Sequence, residues 1–134
     1  MAATKILLIE DDLDLGELIT LYLTKDGFAV TYFCRARLMG DDAIVMDVNG
    51  VESVLHPERY DIALIDGRLK GSPIDGPDLV GALVRSRLPV VGISGDNWFN
   101  RQMVEAGAAT FIPKHEIFCK SLSGELPRLL QAAG

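Results

Sequence analysis

The sequence has no long apolar run, no surplus of basic charge and almost no cysteine, and each shortage closes off a class of function. Its uninterrupted apolar stretches, such as Ile6–Ile9 and Ile62–Ile65, are far shorter than the roughly 20 residues that cross a bilayer. Only Lys5 and Ile6–Ile9 stand before a block of acids, which is not the layout of a signal peptide. Lysine and arginine number 13 against 19 acids, a formal charge of −6, and no basic stripe is present to neutralise phosphates. Direct nucleic-acid binding is therefore not expected. The two cysteines, Cys34 and Cys119, form no CxxC or metal-ligand spacing and read as free thiols of a reducing, cytoplasmic compartment. Repeats, low-complexity tracts and internal linkers are also missing. What remains is ordinary globular material, 49% apolar and 24% charged, and 134 residues are enough for one domain with a real core.

Apolar patterning divides the chain into alternating strands and helices. Lys5–Ile9 (KILLI) is a buried strand that ends in Glu10, Asp11 and Asp12. Leu15, Leu18, Ile19, Tyr22 and Leu23 follow at helical spacing, with Asp12 or Asp14 at the helix start and Gly27 as its stop. Phe28–Phe33 (FAVTYF) is rich in aromatic and β-branched residues and reads as a second strand. Residues 34–60 read as a crossover helix interrupted or lengthened by an insertion. Helical pieces are expected near Arg35–Met39 and Val51–Leu55, a strand-like Ile44–Val48 lies between them, and His56-Pro57 is the terminator. Ile62–Ile65 is a strand buried on both faces with Asp66 at its end.

Beyond the loop Gly67–Gly76, Asp75 and Pro77 suit a helix start, and Leu79, Val80, Leu83 and Val84 supply an apolar stripe. A fourth strand runs through Val90–Ile93, followed by a helix from Asn97 or Trp98 to Ala106. Trp98 and Phe99 are read as core packing. Thr110–Ile112 belongs to a fifth strand. A last helix is expected from Ser121 or Ser123, with Leu122, Leu126, Leu129 and Leu130 facing inward. This pattern predicts an α/β fold: a doubly wound (βα)5 unit with a five-stranded parallel sheet and an insertion between strands two and three.

In a sheet ordered 2-1-3-4-5, strands one, three, four and five are neighbours. Glu10 and Asp11, Asp66, Ser94 and Lys114 then converge on one crevice at the carboxyl ends of the strands. Gathered carboxylates repel one another, so their pKa values rise or a cation holds them. Hard oxygen ligands of this kind suit Mg2+. Helix capping explains Asp12 and Asp14 well but explains Glu10 poorly, because Glu10 precedes the helix. A carboxylate with a cation, a lysine and a hydroxyl beside it is equipment for phosphoryl transfer to Asp66.

The segments ILLIEDD (6–12), DIALIDGRL (61–69), PVVGISG (89–95) and AGAATFIPK (106–114), in this order, resemble the response-regulator receiver domain of bacterial two-component systems. The resemblance spans nearly the whole of 1–134 and leaves no room for an output domain in this stretch. It implies that Asp66 is the phosphoacceptor and that Glu10, Asp11 and Asp66 hold Mg2+ together with the backbone carbonyl of Arg68. Ser94 and Lys114 would contact the phosphoryl group, and Ser94 and Phe111 would act as switch residues. The implied partners are a sensor histidine kinase or phosphotransfer protein and a downstream effector. A homodimer through the fourth helix, fifth strand and fifth helix is possible in the family. Such a domain catalyses only its own phosphorylation and dephosphorylation.

The chain departs from the family pattern at four places. DAIVMDV (42–48) also resembles a phosphoacceptor strand and offers Asp47 as a rival. Placing the third strand there, however, leaves too little chain for a crossover and leaves DIALID unassigned. Loop 67–76 is longer than usual. His115 stands where most receivers have a cis proline, and a cis bond before a non-proline residue costs about 2.5–4 kcal/mol. The segment therefore either bears that strain or takes another path. Phe111 replaces the commoner tyrosine. A second function class fits these departures: a degenerate receiver that binds partners without phosphorylation. A flavodoxin-like cofactor protein or an aspartate-dependent phosphatase fits less well. Strand one lacks a Gly/Ser/Thr-rich phosphate loop, and Asp66-Gly67-Arg68 lacks the second aspartate of the haloacid-dehalogenase type.

Overall fold

The two apolar runs Ile6–Ile9 and Ile62–Ile65 lie side by side at the centre of the molecule, paired in parallel from Ile6 opposite Ile62 to Ile9 opposite Ile65. The computed structural model describes residues 3–134. Its main sheet contains β1 (Lys5–Ile9), β2 (Ala29–Phe33), β6 (Ile62–Asp66), β7 (Val90–Ser94) and β8 (Thr110–Pro113). The order is β2-β1-β6-β7-β8 and every pairing is parallel, as expected for the doubly wound sheet. Side chains alternate between the two faces of a strand, so each apolar run feeds two cores. Leu7, Ile9, Ala63 and Ile65 pack on one side with α2 (Gly76–Arg85) and α3 (Asn97–Ala106). Ile6, Leu8, Ile62 and Leu64 pack on the other with α1 (Leu13–Lys25), α4 (Glu116–Leu122) and α5 (Leu126–Ala133).

The helix expected between the second and third parallel strands is not there. Residues 34–60 form an antiparallel meander, β3 (Arg35–Met39), β4 (Asp42–Met46) and β5 (Glu52–Val54), followed by a 3-10 turn at Pro57–Arg59. Arg35–Met39 and Val51–Leu55 are therefore strand segments, not helix ends. The meander performs the packing a helix would: Ala36, Ala43, Val45 and Leu55 are buried against Leu79, Val80 and Leu83 of α2. Asn49-Gly50, with Gly50 at φ +81°, turns the chain between β4 and β5, a conformation that glycine adopts without steric cost. Asp47 belongs to that turn. Its Oδ1 accepts from the backbone N–H groups of Asn49 (2.9 Å) and Val51 (3.1 Å), which explains the aspartate without a catalytic role.

Three smaller expectations are also revised. Two helices, α4 and α5, stand where one was read. The chain breaks at Ser123–Glu125, with Gly124 at φ +77°, and Leu122 is 77% exposed. Leu129 and, on α1, Leu18 also lie in solvent, while Ile19, Leu23, Leu126 and Leu130 take the core positions. Trp98 is 54% exposed and stands edge-on to Phe99, so only Phe99 packs. Among the described residues no peptide bond is cis; the bond before His115 is trans, and the chain after β8 takes its own path into α4.

If the meander is part of the core and not an appendage, truncating one of its large buried side chains costs as much as any core truncation. Leu55→Ala is expected to lower the unfolding free energy by about 2–5 kcal/mol in a urea titration. A loss below about 0.5 kcal/mol, the level of a surface change, would show that the meander is peripheral.

Candidate functional site

Each functional side chain is delivered by the end of a parallel strand. β1 ends at Ile9, so Glu10 emerges at its tip; the Glu10 N–H donates to the Phe33 carbonyl at 3.2 Å. β6 ends on Asp66 and β7 on Ser94, and Lys114 follows Pro113, the last residue of β8. The register places Asp66 opposite Ile93 and Ser94 opposite Pro113, so the chemistry-bearing ends are level. The outcome is a crevice of about 290 Å3 lined by Glu10, Asp11, Asp66, Arg68, Ser94 and Lys114, with Phe99 along one side. All the predicted site residues except Phe111 are brought together there. Phe111 is on β8, 37% exposed and away from the crevice.

Lys114 lies between two buried carboxylates. Its Nζ is 3.1 Å from Asp66 Oδ1, 3.0 Å from Glu10 Oε2 and 3.2 Å from Glu10 Oε1. Glu10 is wholly buried and Asp66 nearly so. Burial is the main reason that the Glu10 carboxyl is raised above its ordinary range, with Lys114 opposing the shift. Burial also drives Asp66, aided by its contact with Asp11 and the charge of Glu10, and pushes it up to about 8. Asp11 is more open. Burial works against its ionisation, but hydrogen bonding with Asp66 and the Lys70 N–H (3.2 Å) outweighs it and lowers its pKa. For Lys114 the desolvation is likewise outweighed, by the negative charge of Asp66 and Glu10, and the ammonium is held above its usual value.

The donor set fits a hard divalent cation. One carboxylate oxygen from each of Glu10, Asp11 and Asp66 falls within 4.8 Å of the others. Glu10 Oε2 is buried and, among the described residues, accepts no hydrogen bond; its charge is met by the Lys114 ammonium 3.0 Å away. Mg2+ or a similar ion suits oxygen ligands of this kind. Arg68 lines the same crevice.

Ser94 is a junction. Its Oγ accepts from the Asp96 N–H at 3.1 Å, and its carbonyl accepts from Lys114 N–H (3.3 Å) and from Asn100 Nδ2 (3.1 Å). Asn100 is wholly buried and its Oδ1 has no hydrogen-bond partner among the described residues. Neither Asn100 nor Phe99 was singled out as a site residue from the sequence. A polar residue on the inward face of an otherwise apolar helix stripe was the available signal for Asn100.

A doubly wound α/β domain with an acid pair, an aspartate and a lysine converging at its strand ends defines a narrow class of proteins. No family model matches the chain. A curated relative, the Regulatory protein VirG of Rhizobium rhizogenes, is 34% identical over 113 residues, which are 81% of this chain and 41% of that protein. The chain thus spans about two-fifths of the length of this relative. Among solved structures, a CheY-like response regulator receiver domain protein from Methanospirillum hungatei superposes with TM-score 0.65 at 15% identity, covering 98% of this chain and 97% of that one. A response regulator from Burkholderia pseudomallei, solved with a phosphorylated aspartic acid and a calcium ion, superposes with TM-score 0.59 at 13% identity over 96% of this chain and 74% of its own. At such identities these two likenesses bear on the fold alone. The fold is that of the response-regulator receiver structures, and the likeness to part of VirG agrees with it.

Asp66 held protonated up to about pH 8 has a thermodynamic consequence. Because its folded pKa is raised, its contribution to stability is greatest below the ordinary carboxylate pKa of about 3.9 and is lost as pH rises to about 8. Asp66→Asn removes that titration. In EDTA, the denaturation midpoint of the parent should fall relative to Asp66→Asn between about pH 4 and pH 8 and run parallel to it above. A difference that stays constant through this window would contradict the shift.

Proposed function

We propose that residues 1–134 form one receiver domain that accepts a phosphoryl group on Asp66 and is thereby switched between partner-binding states. The observation that carries the reading is the buried Asp66 carboxylate at the end of a central strand, with Lys114 Nζ 3.1 Å away and two further carboxylates beside it. Lys114 favours the charged form of this aspartate, but burial and the neighbouring acids oppose it more strongly. Its burial raises its pKa, and its open side faces the crevice.

In the proposed reaction an Asp66 carboxylate oxygen attacks the phosphorus of a phosphohistidine on a kinase or phosphotransfer protein. An O–P bond forms, the P–N bond breaks, and the imidazole leaves and takes up a proton. Lys114 balances charge on the transferring oxygens, and the Ser94 hydroxyl is placed to donate to one of them. Glu10, Asp11 and Asp66, with the Arg68 carbonyl, would hold Mg2+, which supplies positive charge at the developing phosphoryl oxygens. Water later hydrolyses the acyl phosphate and restores the carboxylate. Beyond its own phosphorylation and dephosphorylation the domain turns over no substrate.

A phosphoryl group brings added negative charge and new acceptors into a crevice where Ser94 is tied both to Lys114 and to α3. The readout in this proposal is the face formed by α3, β8 and the two helices α4 and α5 that stand in place of the expected last helix; it exposes Phe111 and Val104 and serves an effector or a second copy. The domain is proposed to work in the cytoplasm. Among the described residues no helix is long and apolar enough to cross a membrane, and both cysteines are free.

With a small phosphodonor such as acetyl phosphate and Mg2+, the parent should incorporate alkali-labile phosphate. Asp66→Asn should lose it entirely, and Asp47→Asn should retain it. Incorporation that survives in Asp66→Asn, or that disappears with Asp47→Asn, would overturn the assignment.

A further inference from the structure

β2 has no helix after it, yet its penultimate residue carries the side chain that closes the acid loop. Tyr32 Oη donates to the backbone carbonyl of Glu10 at 2.7 Å and lies 3.4 Å from that of Asp12. These two carbonyls bracket Asp11. The tyrosine is itself confined from two directions. Its ring covers Gly16 on the first turns of α1, where an added Cβ would fall inside the ring's van der Waals surface. Its strand is held by the Glu10 N–H to Phe33 carbonyl bond at 3.2 Å and, at the next residue, by the Cys34 N–H to Met46 carbonyl bond at 2.9 Å from the meander.

Three carboxylates that repel one another would spread if the loop carrying two of them were free. An ion held by Glu10 and Asp11 needs that loop fixed before it arrives, and groups behind metal ligands typically change affinity by about 10- to 100-fold. We propose that Tyr32 is a positioning residue for the cation site: its hydroxyl, clamped between Gly16 and β2, holds Glu10 and Asp11 at the spacing that an ion requires. The proposal rests on the reading of the crevice as a cation site.

Mg2+ titration by calorimetry, paired with thermal unfolding in EDTA, separates positioning from mere packing. Tyr32→Phe retains the ring over Gly16 and loses only the donor. It should weaken Mg2+ binding by about tenfold or more, while its midpoint in EDTA stays close to that of the parent and the Mg2+-dependent rise in midpoint shrinks. Gly16→Ala, which displaces the ring, should weaken Mg2+ binding in the same direction. Mg2+ affinity unchanged in Tyr32→Phe would overturn the proposal even if Gly16→Ala lost affinity, because the hydroxyl would then be idle. Equal drops in midpoint with and without Mg2+ would also overturn it and leave Tyr32 a packing residue. A parent that binds no Mg2+ by calorimetry would instead overturn the cation-site reading on which the proposal stands.

Discussion

Lys114 holds together two carboxylates that burial would otherwise drive apart. Glu10 and Asp66 come from neighbouring strands, are both out of solvent, and meet the ammonium at 3.0–3.2 Å. Charges about 4 Å apart interact by about 4 kcal/mol at an effective dielectric of about 20, so one lysine offsets roughly one such repulsion. With Asp11 in the same cluster, three carboxylates face one ammonium, which leaves an excess of two negative charges when all are ionised. The protein relieves this by raising the pKa of Glu10 and Asp66. A divalent cation would relieve it by supplying the missing charge. The crevice is thus poorly balanced on its own, and that imbalance creates its appetite for positive charge. In the proposed reaction the negative charge of an incoming phosphoryl group takes the place of a carboxylate as the partner of this lysine.

The meander and the long loop after β6 are two departures from the usual receiver pattern, and they brace each other. The Ala36 N–H on β3 donates to Ser72 Oγ at 3.1 Å, and the Arg35 guanidinium lies against Gly71. The loop in turn reaches the site, since the Lys70 N–H donates to Asp11 Oδ2 and the Leu69 N–H to Asp75 Oδ1, both at 3.2 Å. A helix replaced by three short strands therefore changes more than the packing on one face. It supplies the edge on which the loop rests, and the loop satisfies one oxygen of the acid pair. Together with Tyr32 on the other side, this holds the acid loop from two directions through backbone groups.

The five parallel strands were legible because three are short apolar runs buried on both faces and the other two are rich in aromatic and β-branched residues, and the site was legible because a charged or hydroxyl residue stands at the end of four of the strands at once. No single run would have sufficed. Residues 34–60 were not legible as a meander because RARLM shows no clean alternation. Its register is set by pairing with Asp42–Met46, a long-range fact, and its inward residues are as small as Ala36 and Ala43. Asn49-Gly50 was the local hairpin signal that outweighs a helical reading. The carboxyl-terminal region failed for a different reason. Leu122, Leu126, Leu129 and Leu130 fit one helical stripe, but Gly124 breaks it and rotates Leu122 into solvent. Ser121, expected near a helix start, is instead buried in α4 and donates to Asp26 at 2.6 Å. Tyr32 looked like any aromatic strand residue. Its role follows from the proximity of β2 to the β1–α1 loop, which only the folded sheet creates.

The account turns on which carboxylate becomes covalently modified, and chemical mapping reads this directly. After treatment with acetyl phosphate and Mg2+, reduction with borohydride converts an aspartyl phosphate to homoserine, which peptide mass spectrometry locates. The account predicts homoserine at position 66 alone. Homoserine at position 47, at position 11, or nowhere in a protein that has taken up phosphate would contradict it.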